Sequence, residues 1–118
     1  MTIEYQDSNA RMSQVAIHNG TVYLAGQVPN DPSADMRGQT EQVLGNIDAL
    51  LAQAGTSKEN LLSAQIWVND MGQFDQMNAA WDAWVVPGRP PVRVATEARL
   101  GKPEWKVEIM VIAALPES

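Results

Sequence analysis

The spacing of apolar residues divides the chain into short strands and two helices. Residues 15–17 and 21–25 are apolar runs on either side of His18-Asn19-Gly20. Because Asn-Gly readily adopts positive φ at both central positions of a tight turn, this segment predicts a β-hairpin. A polar, proline-containing loop follows the second strand. Residues 2–6 are a candidate for an extra edge strand.

Two segments have the apolar spacing of an amphipathic helix. Residues 36–54 carry apolar side chains every three or four positions, and Gly55 provides the stop. A second helix is predicted over residues 71–85, with Asp70 as its N-cap and the proline-rich segment 87–91 as its end. The apolar residues are Val43, Leu44, Ile47, Leu50 and Leu51 in the first helix, and Phe74, Met77, Ala80, Trp81 and Trp84 in the second.

Three further segments are predicted as strands. Residues 61–68 alternate apolar with polar side chains, residues 92–100 are extended, and residues 105–114 form an apolar strand interrupted by Lys106 and Glu108. The predicted order is ββαβαββ. Helices placed between strands in this order favour an α+β fold in which one sheet carries both helices on one face.

Length and composition favour one globular domain over residues 1–118. The chain has 118 residues, of which 45% are hydrophobic, and this suits a single core. Fourteen acidic and eight basic residues give a net charge of -6, which disfavours binding to nucleic acid. The absence of cysteine excludes disulfides and thiol nucleophiles, and a lone histidine excludes a His-rich zinc site. No signal peptide or membrane span is predicted, and a cytoplasmic location is expected.

Few residues are candidates for chemistry. His18 adjoins the Asn-Gly turn and is interpreted as a solvated turn residue, because a general base needs a partner to orient it. Arg93 and Glu108 each lie between apolar residues, where an unpaired charge is costly. From composition alone, a structural ion pair or a solvated strand face is favoured over a catalytic role. The four tryptophans are interpreted as core or interface residues: Trp67, Trp81, Trp84 and Trp105.

Seven short segments together resemble the YjgF/Rid family of reactive-intermediate deaminases. They extend along nearly the whole chain, and the last two form the family's signature region. Each segment is a weak signal alone, but their common order and spacing are fairly specific. The similarity is greatest to the family's bacterial YoaB-like branch. The segments are residues 11–13, 24–29, 46–51, 68–71, 77–81, 91–93 and 106–109.

The resemblance implies a fold, an assembly and an activity. The fold is chorismate-mutase-like, which agrees with the predicted element order. The assembly is a homotrimer whose three sheets form a central barrel, with ligand clefts between subunits. The activity is hydrolysis of 2-imino acids, or their enamine tautomers, to 2-keto acids and ammonia, with no cofactor. The expected partners are therefore small imino and keto acids, with no nucleic acid and no membrane.

The resemblance also assigns roles to individual residues. Arg93 matches the arginine that binds the substrate carboxylate, which a guanidinium can hold through two parallel hydrogen bonds. Glu108 matches the glutamate that holds a water near the imine carbon, and Ala95 falls where a backbone carbonyl contacts that water. Gly26 matches a glycine whose backbone faces the ligand, and Asn78 matches an asparagine of the cleft.

Two alignments of the signature region are open. An alignment on residues 98–100 would move the key position to Val92. The ungapped alignment keeps Arg93 at the family's spacing from Glu108 and also matches Pro91. We therefore prefer Arg93 as the carboxylate-binding residue.

Two positions depart from the family pattern and leave the activity open. Met12 stands where many members have a tyrosine, and Ala25 stands where many have a serine, so two hydroxyls are missing. Met12 is still predicted to line the substrate site. The alternative function is a binding or regulatory module that holds small carboxylates without turnover. RNA cleavage, a third hypothesis, is disfavoured by the net charge and by the lone His18.

Overall fold

A computed structural model describes residues 2–117 as one six-stranded sheet with two α-helices. The strands follow the order β1-β2-β3-β6-β4-β5, and all neighbouring strands are antiparallel except β4 and β5. This architecture agrees with the predicted α+β class and adds the candidate edge strand. The elements are β1 (Glu4–Ser8), β2 (Ser13–His18), β3 (Thr21–Leu24), α1 (Met36–Ala54), β4 (Leu61–Val68), α2 (Phe74–Trp84), β5 (Val92–Glu97) and β6 (Val107–Ala114).

The hairpin between β2 and β3 turns at Asn19 and Gly20, as predicted. Both residues have positive φ, 53° and 77°, which is the conformation that favours Asn and Gly in such turns. His18 differs from its prediction as a solvated turn residue, because it is the last residue of β2 and is half-buried. The extra edge strand is Glu4–Ser8 rather than residues 2–6.

Helix α1 has its predicted bounds because both of its ends are set by local signals. The Asp35 carboxylate accepts a hydrogen bond from the backbone N–H of Gly38 at 2.8 Å, and Gly55 ends the helix with a φ of 92°. Helix α1 is the longest helix among residues 2–117. No helix in that range is both long enough and apolar enough to cross a bilayer.

Helix α2 is shorter than predicted. Asp70 does act as a cap, accepting from the backbone N–H of Gly72 at 2.8 Å, but it caps a single 3-10 turn at Met71–Gln73. The α-helix begins only at Phe74. A glycine in this first turn weakens the α-helical preference, which accounts for the late start.

The sheet has a covered face beneath the helices and an open face. Along β6, residues 107, 109, 111 and 113 are buried, whereas the alternate residues are half-buried. Side chains alternate along a strand, and paired residues on neighbouring strands point to the same side. The burial pattern of β6 therefore shows whether a residue paired with it belongs to the covered or to the open face. The open face carries large exposed apolar side chains, namely Tyr23 (45% exposed), Val92 (73%) and Val94 (54%).

Strands β5 and β6 are shorter than the predicted segments 92–100 and 105–114. The buried side chain of Gln39 explains the difference at β6. Its amide donates to the carbonyl of Glu104 at 3.0 Å, and its Oε1 accepts from the backbone N–H of Lys106 at 2.8 Å. These backbone groups are therefore bound to a side chain rather than to a neighbouring strand.

Candidate functional site

Arg93 lies on β5 at an edge of the sheet and points to the covered face, because it pairs with the buried Ala64 of β4. Its Nη1 donates to Oδ1 of Asn78 at 2.9 Å. Its guanidinium carbon lies 5.4 Å from the ring centroid of Trp81 and 5.7 Å from that of Phe74. Three side chains of α2 thus hold the guanidinium in one orientation.

The guanidinium of Arg93 keeps most of its donors free. An arginine has five N–H donors, and Asn78 takes one of them. Within residues 2–117 the one ion pair joins Arg37 to Glu41, so no carboxylate neutralises Arg93. A cleft of about 240 Å³ at this sheet edge includes Arg93 in its lining, but its other β5 residues, Val92 and Val94, belong to the open face. An oriented, unpaired guanidinium at a sheet edge is suited to bidentate binding of a carboxylate.

Glu108 lies on β6 and points to the open face, opposite Trp67 of β4. The side chain is half-buried, and this burial raises the pKa of its carboxyl above the usual 4.5. The carboxylate lies against Gly26, where a Cβ would overlap Oε2 of Glu108. Two backbone hydrogen bonds between Gln27 and Ile109, of 2.8 and 3.1 Å, hold the two segments together.

The other predicted site residues lie around these two groups. Ala95 is half-buried on β5 and pairs with Ile66, so it shares the covered face with Arg93. Met12 precedes β2 and is 44% exposed. Ala25 is half-buried, and its N–H donates to the carbonyl of Gln14 at 2.9 Å. Neither Met12 nor Ala25 can supply the hydroxyl that many members of the resembled family have.

The structure brings the predicted residues together in two groups on opposite faces of one sheet. Arg93 contacts Asn78 on the covered face, and Glu108 contacts Gly26 on the open face. Strand β4 also separates β5 from β6. A structural ion pair between Arg93 and Glu108, one of the two roles favoured from composition, is therefore not formed within one chain.

Sequence reasoning missed two residues that position Arg93. Phe74 and Trp81 were assigned only to the apolar side of α2, yet both rings contact the guanidinium. The spacing of Phe74, Asn78 and Trp81 at i, i+4 and i+7 places them on one helix face. This regular spacing of two rings and an amide is the signal that could have identified them.

No metal centre is evident among residues 2–117, because no three His, Asp or Glu side chains gather closely enough to hold an ion. His18 lies at the end of β2 with its Nδ1 3.3 Å from Nδ2 of Asn19. It therefore lacks the carboxylate partner that orients a catalytic histidine.

Comparison with known proteins identifies close relatives over almost the full length. The family model described as endoribonuclease L-PSP matches residues 2–115. A RutC family protein of Haemophilus ducreyi is 50% identical over 109 residues, covering 92% of this chain and 93% of the relative. The RutC family protein YoaB of Escherichia coli is 47% identical over 115 residues, covering 98% and 100%. The crystal structure of NMB1025, a YjgF family member from Neisseria meningitidis, superimposes with a TM-score of 0.97 at 42% identity, covering 100% and 98%.

Proposed function

The chain belongs to the endoribonuclease L-PSP family, whose members include YjgF and RutC proteins, and on this premise we propose that it hydrolyses 2-imino acids to 2-keto acids and ammonia. The observation that carries the proposal is the oriented guanidinium of Arg93. It has free donors and no carboxylate partner among residues 2–117, and it lies at an edge of the sheet. A small substrate with an α-carboxylate matches this arrangement.

The chemical step needs one water and one proton acceptor. Water adds to the imine carbon and gives one proton to the acceptor, so that the double bond becomes a single bond in an amino alcohol. The acceptor returns this proton to the amino nitrogen, the carbon–nitrogen single bond breaks to release ammonia, and the hydroxyl loses its proton to leave the ketone. A protonated imine carbon is already electrophilic, so positioning of the water supplies most of the rate gain. Glu108 is the proposed acceptor, because its raised pKa brings the carboxylate nearer to the basicity needed at neutral pH. No step requires a cofactor.

The proposed site lies between two chains of a homotrimer. Arg93 and Glu108 face opposite sides of one sheet, so a single chain cannot bring both to one small substrate. A neighbouring copy packed with its open face at the β5 edge can supply the missing group. The exposed apolar residues Tyr23, Val92 and Val94 support such packing, because large exposed apolar patches are typical of interfaces.

Ammonia release from freshly generated 2-iminopropionate tests the activity. Arg93→Lys keeps the charge but loses the two parallel hydrogen bonds, so kcat/KM should fall by about 10- to 100-fold, the worth of a charged hydrogen bond. Arg37→Lys is the matched control, because Arg37 is an exposed arginine of α1, and it should retain wild-type turnover. Equal activity of the Arg93→Lys variant would disprove the role of Arg93 and favour the alternative register.

Mixed trimers of two inactive variants test whether the site is shared. If Arg93 and Glu108 come from neighbouring chains, co-expression of Arg93→Lys with Glu108→Gln should restore intact residues to about one quarter of the sites in random trimers. If both residues come from one chain, every site keeps one defect and no activity returns. The mixture should therefore exceed either variant alone, and its failure to do so would refute the shared site.

A binding module without turnover is the second candidate, and the missing hydroxyls at Met12 and Ala25 favour it. It predicts saturable pyruvate binding that depends on Arg93 but no acceleration of imine hydrolysis. RNA cleavage, which the family description names, fits these residues less well. The chain carries a net charge of -6, and His18 is its only histidine.

A further inference from the structure

A second cavity lies at the end of the sheet where β4 and β5 finish and β6 begins. Its volume is about 780 Å³, larger than that of the cleft of about 240 Å³ at the β4–β5 edge. Neither Arg93 nor Glu108 lines it, so it is separate from the proposed imine site. Most of its wall is the segment 97–105, and we call it the 97–105 cavity.

Hydrogen bonds within the chain hold the walls of the 97–105 cavity in place. The backbone N–H of Ala98 donates to the carbonyl of Val68 at 2.9 Å, and that of Asn69 donates to the carbonyl of Lys106 at 2.9 Å. These bonds extend the pairing of β4 with its two neighbours beyond the strand ends. The cavity is therefore preformed, as is usual for small-molecule sites.

The polar groups of the 97–105 cavity favour an anion. Arg99 and Lys102 line it, and neither forms an ion pair within residues 2–117. Asn69, an exposed residue, also lines it. The one acidic lining residue, Glu97, accepts from the backbone N–H of Met71 at 3.0 Å. The lining therefore carries a net charge of +1, and its two cations form no ion pair among residues 2–117.

The remaining walls are apolar. Leu100, Pro103 and Trp105 line the 97–105 cavity. The ring of Trp105 lies beneath the ammonium of Lys102, 5.3 Å from Nζ to the ring centroid. Cationic groups next to a ring and aliphatic side chains suit a ligand that has a charged end and an apolar body.

We propose that the 97–105 cavity binds a small organic anion, a carboxylate or a phosphate ester, with its charge at Arg99 and Lys102 and its apolar body on Leu100, Pro103 and Trp105. The observations behind the proposal are a preformed cavity, two unpaired cations and an apolar wall. This proposal does not depend on the proposed imine hydrolysis, because neither Arg93 nor Glu108 lines the 97–105 cavity.

Nuclear magnetic resonance of the indole N–H groups tests the proposal, because Trp105 and Trp81 lie at the two different sites. Trp105 reports on the 97–105 cavity, and Trp81 reports on Arg93, whose guanidinium carbon is 5.4 Å from its ring. Trp105→Phe and Trp81→Phe assign the two signals. The probes are phenyl phosphate and phenylacetate, with benzyl alcohol as the uncharged control and inorganic phosphate as the control without an apolar body.

We expect phenyl phosphate or phenylacetate to shift the Trp105 signal saturably, and the stronger of the two identifies the preferred charged group. Benzyl alcohol should have no such effect, and inorganic phosphate should bind more weakly. The Arg99→Gln/Lys102→Gln double variant should bind at least about tenfold more weakly, since a charged hydrogen bond has that worth. Arg89 is an exposed arginine that does not line the cavity, so the Arg89→Gln variant should bind the organic anions as tightly as the wild type does.

Two results would overturn the proposal. One is the absence of a saturable Trp105 shift with either organic anion at millimolar concentration. The other is equal affinity in the double variant and the wild type, which would show that the cations take no part. A pyruvate titration followed at Trp81 separately tests the carboxylate site at Arg93, so failure of one site is distinguishable from failure of the other.

Discussion

Substitution of Gly26 by alanine would displace the carboxylate of Glu108 while leaving the fold almost intact. A Cβ on residue 26 would overlap Oε2 of Glu108, which is the far end of a flexible side chain. Gly26 does not have the positive φ that excludes alanine. The carboxylate can therefore rotate away at little cost to folding, but it then leaves the position where we propose that it acts on water.

The expected loss of turnover follows from the size of this displacement. A catalytic group misplaced by about 1 Å can cost up to roughly 100-fold in rate. Complete loss of a general base costs about 10²- to 10⁴-fold, so displacement of the intact carboxylate should cost no more than that. We therefore expect kcat for 2-iminopropionate to fall by about 10- to 100-fold in Gly26→Ala, measured as ammonia release, while the melting temperature changes little.

A matched glycine and a double-variant cycle complete the experiment. Gly45 lies within α1, where an added Cβ meets open space. Gly45→Ala should raise the free energy of unfolding by about 0.5–1 kcal/mol and leave turnover unchanged. In a Glu108→Ala background, Gly26→Ala should have no further effect on turnover, because no carboxylate remains to be displaced. A full additional loss in that background would refute the explanation.

Three further predictions concern stability and assembly. Glu108→Gln should raise the melting temperature at neutral pH, because burial of the charged Glu108 carboxylate in the wild type is costly. The difference in melting temperature should shrink as the pH falls through the raised pKa of Glu108 and vanish below pH 4.5, and a constant difference across the pH range would contradict this explanation. Wild-type protein should have the mass of a trimer by light scattering at micromolar concentration, and Val94→Glu on the open face should dissociate it; a monomeric wild type would refute the assembly. Gln39→Leu leaves buried backbone groups without their hydrogen-bond partner and should lower the free energy of unfolding, measured in urea, by about 2 kcal/mol or more. An unchanged free energy of unfolding would contradict this prediction and show that water replaces the side-chain amide.

Elements defined by local signals were predicted well from the sequence. Helix α1 has a long amphipathic repeat, a capping Asp35 and a terminal Gly55, and its predicted and observed bounds agree. Strand β4 and the Asn-Gly hairpin were also predicted correctly. The start of α2 was wrong by three residues, because Asp70 is an equally good cap for a 3-10 turn as for an α-helix.

The geometry of the candidate site could not be predicted in the same way. Arg93 and Glu108 are both flanked by apolar residues, so periodicity gives them the same expected orientation, away from the core. The structure agrees for Glu108 but reverses the orientation on β5, where Val92 and Val94 are exposed and Arg93 points beneath α2. This reversal depends on the pairing register of β4 with β5 and on rings supplied by a distant helix. Neither is a local property of the strand.

The distribution of charge along the chain is uneven, which is compatible with the two anion sites that we propose. Segment 93–106 contains four of the eight basic residues and two of the fourteen acidic ones, so it carries a net charge of +2. The remainder of the chain therefore carries -8. Repulsion from the rest of the chain and attraction to this segment both direct a small anion to β5 and the loop that follows it. The carboxylate site at Arg93 and the 97–105 cavity draw on this one segment, whereas a polyanion such as RNA would have to extend across the acidic remainder. The charge pattern thus favours small anionic metabolites as ligands.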